Sequence, residues 1–131
     1  NFDGINQEHG RRVADNVLIA LADVVGSQLR GSDTLARYEG ASLAVLLVRS
    51  APSDSEYVAD RIREVVGGRS FESDTDKPLS ANISVGISAL QSGSKKNLPR
   101  NIADKMTEEA AKMLKEAQSQ GGDKVVSTIL N

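Results

Sequence analysis

Two side chains of opposite charge stand three positions apart in the segment Arg30-Gly31-Ser32-Asp33. A guanidinium group is a planar fork that can hold a phosphate or the Hoogsteen edge of guanine, and a carboxylate can accept hydrogen bonds from guanine nitrogens. At the end of a helix the same two residues often form only a solvated ion pair, worth about 0–1 kcal/mol. The residue types therefore permit an anionic or guanine ligand, and they also permit a purely local contact.

The composition limits the classes to which the chain can belong. Its 131 residues suffice for one domain with a core, and the absence of cysteine excludes disulfides and thiolate metal sites. The formal net charge of −2 and the interspersed signs do not favour contact with nucleic acid or with a membrane surface. Since no apolar run approaches the roughly 20 residues that span a bilayer, we expect a soluble domain. It would be cytoplasmic, either alone or as the cytoplasmic part of a membrane-attached protein.

Apolar periodicity predicts the helices that must position these charged groups. The predicted helices are a short one that ends before Gly10 and three longer ones at about 11–29, 52–67 and 103–120. Ser53 and Glu56 have the spacing of a capping box at the start of the third helix. Each of the longer helices has one apolar face, so we expect these faces to pack against a sheet.

Alternating and continuous apolar runs predict the strands. The turn pair Glu39-Gly40 and the apolar run 43–48 predict a hairpin whose second strand is buried on both faces. The polar tract 70–78 is predicted to be a loop. Residues 79–89 alternate between apolar and polar side chains, which predicts one continuous strand with one buried face. A last strand is expected at 125–130.

Three segments resemble the GGDEF family of bacterial diguanylate cyclases. The segment 36–47 is similar to the signature hairpin of that family, and 82–88 is similar to its Ser-Val/Ile-Gly strand. The segment 2–18 matches the family residues that follow the first strand. The resemblance implies an α+β fold of the ferredoxin-like, nucleotidyl-cyclase type, an antiparallel-rich sheet with helices packed on it.

In the family, a strand that carries a metal-binding aspartate lies immediately upstream of the segment that matches residue 2 onward. The resemblance therefore implies that the first strand of the fold is missing from this sequence. We expect residues 1–131 to be a single degenerate GGDEF domain and a fragment of a longer multidomain protein, because a missing central strand would leave backbone groups unpaired.

The signature turn departs from the family pattern at the positions that matter for catalysis. The five turn residues, Gly-Gly-Asp/Glu-Glu-Phe in active members, are Glu39, Gly40, Ala41, Ser42 and Leu43 here. The family's metal ligand corresponds to Ala41, whose methyl group binds no metal, and Ser42 offers a neutral hydroxyl. Glu39 stands two positions too early to replace the lost ligand.

The family residues that hold the triphosphate are also replaced. The matching positions near the end of the last helix are Gln118, in place of a lysine, and Gly122, in place of an arginine. The resemblance therefore implies a domain with no catalytic residues, no bound metal and no cofactor.

The resemblance also implies ligand-binding residues. Active members often bind their product, cyclic di-GMP, at an Arg-x-x-Asp pair that lies at a fixed distance before the turn, and Arg30 and Asp33 are in that register. Arg61, in a segment similar to the family's Ala-Glu-Arg-Ile-Arg, would complete this site. Asn6 and Asp15 match residues that recognise guanine and ribose; the alternative explanation is a helix-end cap and a surface charge.

Three hypotheses follow from these expectations. The first is a catalytically inactive regulatory or receptor module that binds cyclic di-GMP, with GTP as a further candidate ligand and with attached domains or a second copy as protein partners. The second is a pure interaction or dimerisation module without a nucleotide. The third, a working diguanylate cyclase, conflicts with the residues at the signature turn.

Overall fold

A computed structural model describes residues 2–48, 51–91 and 100–130. The elements are α1 (Phe2–His9), α2 (Arg11–Ser27), β1 (Thr34–Arg37), β2 (Leu43–Leu46), α3 (Pro52–Gly67), β3 (Ser70–Phe71), β4 (Leu79–Ser80), β5 (Val85–Leu90), α4 (Ile102–Ser119) and β6 (Val125–Leu130). All four predicted helices are confirmed to within a few residues at each end. No helix in the described ranges combines the length and apolar character needed to cross a membrane.

Two units make up the chain. The first contains Asn1–Val48 and Glu64–Asn82, and the second contains Arg49–Arg63 and Ile83–Asn131. In the first unit α1 packs on α2, and the chain turns between them at Gly10, whose φ of 86° favours a residue without a Cβ. The buried face of α2 provides most of the core of this unit: Ala14, Val17, Leu18, Val24 and Val25.

β1 and β2 form the predicted hairpin, in antiparallel register from Thr34 opposite Leu46 to Arg37 opposite Leu43. The prediction that the second strand is buried on both faces is wrong. Val45 and Leu46 are 38% and 58% exposed, and among the described residues β2 pairs only with β1. The preceding strand that the resemblance implies remains a prediction.

The segment after α3 also differs from expectation. The tract 70–78, predicted to be a loop, begins with β3, which pairs antiparallel with β4. The predicted continuous strand 79–89 is instead divided into β4 and β5, separated by the non-strand residues 81–84. The physical reason is a change of partner, since β4 pairs with β3 whereas β5 pairs with β6 in parallel. Alternation along a sequence does not reveal such a change.

The start of α3 departs from the predicted capping box. The helix begins at Pro52, a residue well suited to the first helical position because its missing N–H is not needed there. Asp54, not Glu56, accepts a hydrogen bond from the N–H of Ala51, at 3.3 Å. Glu56 accepts instead from the hydroxyl of Ser127 on β6, at 2.7 Å, so it links two elements of the second unit.

In the second unit, α4 packs across both β5 and β6. The hydroxyl of Ser88 donates to the carbonyl of Met106 at 2.6 Å, which ties the strand to the helix. The helix approaches so closely at Gly86 that a Cβ on this residue would overlap the backbone of Ala110 and Leu114. The glycine in the strand therefore allows the helix to lie directly on it.

We predict that Gly86→Ala lowers the free energy of unfolding by about 3 kcal/mol or more, because backbone atoms on α4 cannot yield as a flexible side chain can. Urea unfolding followed by circular dichroism measures this change. Gly31→Ala is the matched control, since its Cβ would enter open space. Equal stability of the two variants would contradict the close packing of α4 on β5.

Candidate functional site

The Arg30 and Asp33 side chains lie together at the point where the chain enters β1 and leaves β2. Asp33 accepts from the backbone N–H of Arg30 at 2.9 Å and from Nε and Nη2 of its guanidinium group at 3.3 Å. Asp33 also accepts from the N–H of Val48 at 3.3 Å, and Arg30 Nη2 donates to the carbonyl of Val48 at 2.6 Å. The ion pair therefore links the chain before β1 to the chain after β2, at the open end of the hairpin.

The two side chains differ sharply in exposure. The Asp33 side chain is 3% exposed, whereas that of Arg30 is 56% exposed. The backbone N–H of Arg30, then its guanidinium group, holds the pKa of Asp33 below its ordinary value, so the carboxylate stays ionised. An ionised, buried carboxylate thus orients a guanidinium group that remains half exposed to solvent.

The signature turn is closed by its own backbone and by one arginine. Ser42 N–H donates to the carbonyl of Glu39 at 2.7 Å, and Gly40 has a φ of 50°. The guanidinium group of Arg37 donates twice to the carbonyl of Gly40, at 3.1 and 3.0 Å. The side chain of Ala41 is exposed, so at the expected metal position the turn presents a methyl group.

Potential metal ligands do not cluster in the part of the chain that the structure describes. Over residues 2–48, 51–91 and 100–130, no three His, Cys, Asp or Glu side chains come close enough to hold an ion together.

The end of α4 carries an ion-pair network where the family pattern has cations. Gln118 is exposed and neutral, and Gly122 has no side chain. Asp123 follows with a φ of 52°, and its carboxylate lies 3.1 Å from Nη1 of Arg63 on α3. Arg63 also donates to Asp60, at 2.9 Å, and the hydrogen bonds that it donates to Asp60 and Asp123 raise its pKa. Arg63, which contacts this turn from α3, is thus engaged by two carboxylates.

The remaining predicted ligand residues lie elsewhere. Asn6 on α1 and Asp15 on α2 belong to the first unit, and both are exposed. Arg61 belongs to the second unit, where its guanidinium carbon lies 5.9 Å from the centre of the Tyr57 ring. The structure therefore brings together Arg30 and Asp33, and it describes Arg61 in a separate unit with an aromatic neighbour.

Sequence reasoning missed some of these contacts. His9 at the end of α1 lies 2.8 Å from Asp74, which lies 65 positions further along the chain and whose pKa this hydrogen bond lowers. Arg63 and Asp123 are 60 positions apart. No local pattern could have predicted these pairs. Tyr57 and Arg61, in contrast, have the four-residue spacing of neighbours on a helix, a signal that was present.

Comparison with known proteins agrees with the resemblance. The sequence profile described as "Diguanylate cyclase, GGDEF domain" matches residues 1–124. Diguanylate cyclase A of Treponema denticola is 33% identical over 124 residues, which cover 95% of this chain and 32% of that protein. The response regulator PleD of Caulobacter vibrioides is 34% identical over 89 residues, 67% of this chain and 20% of that protein. The chain thus spans about a third or less of the length of these two relatives.

Solved structures show the same fold. The diguanylate cyclase SiaD from Pseudomonas aeruginosa, in complex with its activator SiaC, superposes with a TM-score of 0.84 at 26% identity, over 97% of this chain and 46% of that one. The GGDEF domain of DgcB from Caulobacter crescentus, in complex with c-di-GMP, superposes with a TM-score of 0.82 at 23% identity, over 96% and 71%. The predicted nucleotidyl-cyclase type of α+β fold is confirmed, and the chain belongs to the GGDEF family of diguanylate cyclase domains.

Proposed function

We propose that this domain binds cyclic di-GMP without synthesising it and acts as a regulatory module in a signalling protein. The observation that carries the proposal is the oriented guanidinium group of Arg30. It is half exposed, and Asp33 and the carbonyl of Val48 hold it in place. A guanidinium fork that is already oriented loses little conformational freedom when it meets a phosphate or the edge of a guanine.

The guanidinium group of Arg30 suits an anionic ligand that carries guanines. Charge-assisted hydrogen bonds from Arg30 would meet a phosphate directly, so that no divalent metal is required. The DgcB domain is in complex with c-di-GMP, which supports the view that the fold accommodates this molecule. Asp33 would act mainly by orienting Arg30, because its own carboxylate is buried and already accepts hydrogen bonds from the backbone N–H groups of Arg30 and Val48.

The proposed loss of catalysis rests on the residues at two turns. A cyclase must hold divalent metal with carboxylates to activate the attacking hydroxyl and to neutralise the triphosphate. Ala41 presents a methyl group at the signature turn, and Gln118 and Gly122 provide no charge at the end of α4. The nearby Arg63 is engaged by Asp60 and Asp123, so it does not replace the lost cations.

We predict that the protein makes no cyclic di-GMP from GTP in the presence of magnesium or manganese, because Ala41 cannot hold the metal. Chromatography of the nucleotides measures the product, with an active diguanylate cyclase as the positive control. Product formed above the level of a protein-free sample, and abolished by a chelator, would show that the domain is an enzyme.

We predict that Arg30→Ala weakens cyclic di-GMP binding by about 1.5–3 kcal/mol, or roughly tenfold to a hundredfold, because a charge-assisted forked contact is lost. Arg30→Lys should also weaken it, since an ammonium group lacks the planar fork. Calorimetry without divalent metal measures these affinities. Arg69→Ala, which removes an exposed arginine of the same unit, is the control. Full affinity in Arg30→Ala, or no binding by the unchanged protein, would refute the proposal.

A specific observation also favours the second candidate, an interaction module without a nucleotide. Every hydrogen bond described for the Asp33 carboxylate comes from a donor group of this chain, Arg30 or Val48. A purely structural role is therefore enough to explain this residue. In addition, an open groove of about 300 Å³ lies in the first unit, and two of its lining residues, Asp23 and Arg37, are charged. Its other lining residues are all apolar: Leu18, Ile19, Ala22, Leu35, Ala36 and Leu43. Such a groove could receive an apolar segment of a partner.

The lowered pKa of Asp33 predicts a pH dependence of stability that both candidates share. Its carboxylate stabilises the folded state fully above the ordinary value of 3.8, and this contribution disappears as the pH falls through the lower folded value. Asp33→Asn should therefore lower the melting temperature near neutral pH, with a difference that shrinks well below pH 3.8. Thermal unfolding across pH measures it. Asp15→Asn, at an exposed position, is the control. A constant difference would contradict the described ion pair.

A further inference from the structure

The only histidine of the sequence lies between two carboxylates in the first unit. His9 ends α1, and its side chain is 12% exposed. Its Nδ1 lies 2.8 Å from a carboxylate oxygen of Asp74, and its Nε2 lies 4.0 Å from a carboxylate oxygen of Glu8. Each ring nitrogen therefore faces a negative charge, one from α1 itself and one from the loop between β3 and β4.

The contact with Asp74 fixes which ring nitrogen carries a proton. The hydrogen bond from His9 lowers the pKa of Asp74, so this carboxylate is ionised and can only accept. Nδ1 must therefore be the donor, and a second proton on the ring would sit on Nε2, where it faces Glu8. The neutral ring instead directs the lone pair of Nε2 toward that carboxylate. The two carboxylates are thus placed to suit the positively charged ring.

The loop that contains Asp74 is held by its own hydrogen bonds. The hydroxyl of Ser73 donates to the carbonyl of Lys77 at 2.6 Å, and the N–H of Thr75 donates to the Ser73 hydroxyl at 3.1 Å. The contact between His9 and Asp74 joins this closed turn to the end of α1. The charged neighbours of this contact along the chain are all exposed: Arg11, Arg12, Glu72, Asp76 and Lys77.

The strength of this contact depends on the charge of the ring. Histidine is the side chain whose charge ordinarily changes between about pH 5 and 8, and a charge-assisted hydrogen bond is roughly twice as strong as a neutral one. We propose that His9 and Asp74 form a pH-sensitive latch, which holds the β3–β4 loop on α1 firmly when His9 is protonated and loosely when it is neutral. The latch goes beyond the proposed function and requires no nucleotide.

The latch acts on an element that depends on tertiary contacts. α1 has eight residues, too few for a helix to be stable by itself in water. A contact that fastens its last residue to a closed turn therefore affects how firmly the whole helix is held. The charge-assisted part of the contact is present in acid and is lost as the pH rises through the titration of the ring.

Asp74→Asn removes the charge of the carboxylate and keeps the size of the side chain. It should lower the folding equilibrium constant by roughly twofold to tenfold more at about pH 5.5 than at about pH 8, because the carboxylate attracts the protonated ring most strongly. Urea unfolding at the two pH values measures the difference. Asp76→Asn, at an exposed position of the same loop, is the matched control, and its effect should not change with pH.

The same measurement in a His9→Gln background shows whether the histidine is responsible. Glutamine provides an N–H donor but does not titrate, so the effect of Asp74→Asn should no longer depend on pH in this background. An equal effect of Asp74→Asn at both pH values in the otherwise unchanged protein overturns the inference. A pH-dependent effect that persists in the His9→Gln background also overturns it.

Because the sequence has a single histidine, NMR can follow its ring directly. The Cε1–H signal of His9 reports the protonation of the ring, and the amide signals of residues 73–77 should shift with the same midpoint. In Asp74→Asn this midpoint should move to lower pH, since the ring loses an adjacent negative charge. Loop signals that do not follow the histidine, or a midpoint that Asp74→Asn leaves unchanged, would refute the latch.

Discussion

The carboxylate of Asp33 is the contact on which the hairpin depends. It accepts hydrogen bonds from the chain just before β1 and just after β2, so one side chain holds together the open ends of two antiparallel strands. Arg37 closes the opposite end by donating to the carbonyl of Gly40. Among the described residues β2 pairs only with β1, and its side chains Val45 and Leu46 are exposed. Side-chain contacts to the backbone therefore compensate for limited burial.

This structural role shapes the proposed ligand site. Because Asp33 is buried and occupied, it could contact a guanine only by giving up hydrogen bonds that close the hairpin, and that exchange would be costly. Arg30, whose side chain is 56% exposed, carries the direct recognition in our proposal, and Asp33 fixes its direction. Nucleotide binding and hairpin stability are then coupled, since both use the same ion pair. Such coupling would suit a domain that reports ligand binding to an attached partner.

The two turns that the resemblance aligns with the family's catalytic residues are closed in different ways. At the signature turn, a small apolar residue, Ala41, replaces the expected ligand, and the backbone and Arg37 keep the turn closed. At the end of α4, Asp123 binds Arg63, so a negative charge and its partner stand where cations would be expected. In our proposal, neither turn supplies the charge that a triphosphate and its metals would need.

The sequence by itself determined the four helices, the hairpin, the last strand and the family, because these depend on local periodicity, turn residues and motifs. It also placed Arg30 and Asp33 three positions apart, close enough to pair. Only the tertiary structure decided that Asp33 is buried, that residues 79–90 change partner between β4 and β5, and that α4 lies against Gly86. It also decided the pairing of His9 with Asp74 and of Arg63 with Asp123. Each of these features depends on residues that are distant in sequence. The free energy of such contacts is set by burial and by the identity of the partner residue. The periodicity of one segment specifies neither of them.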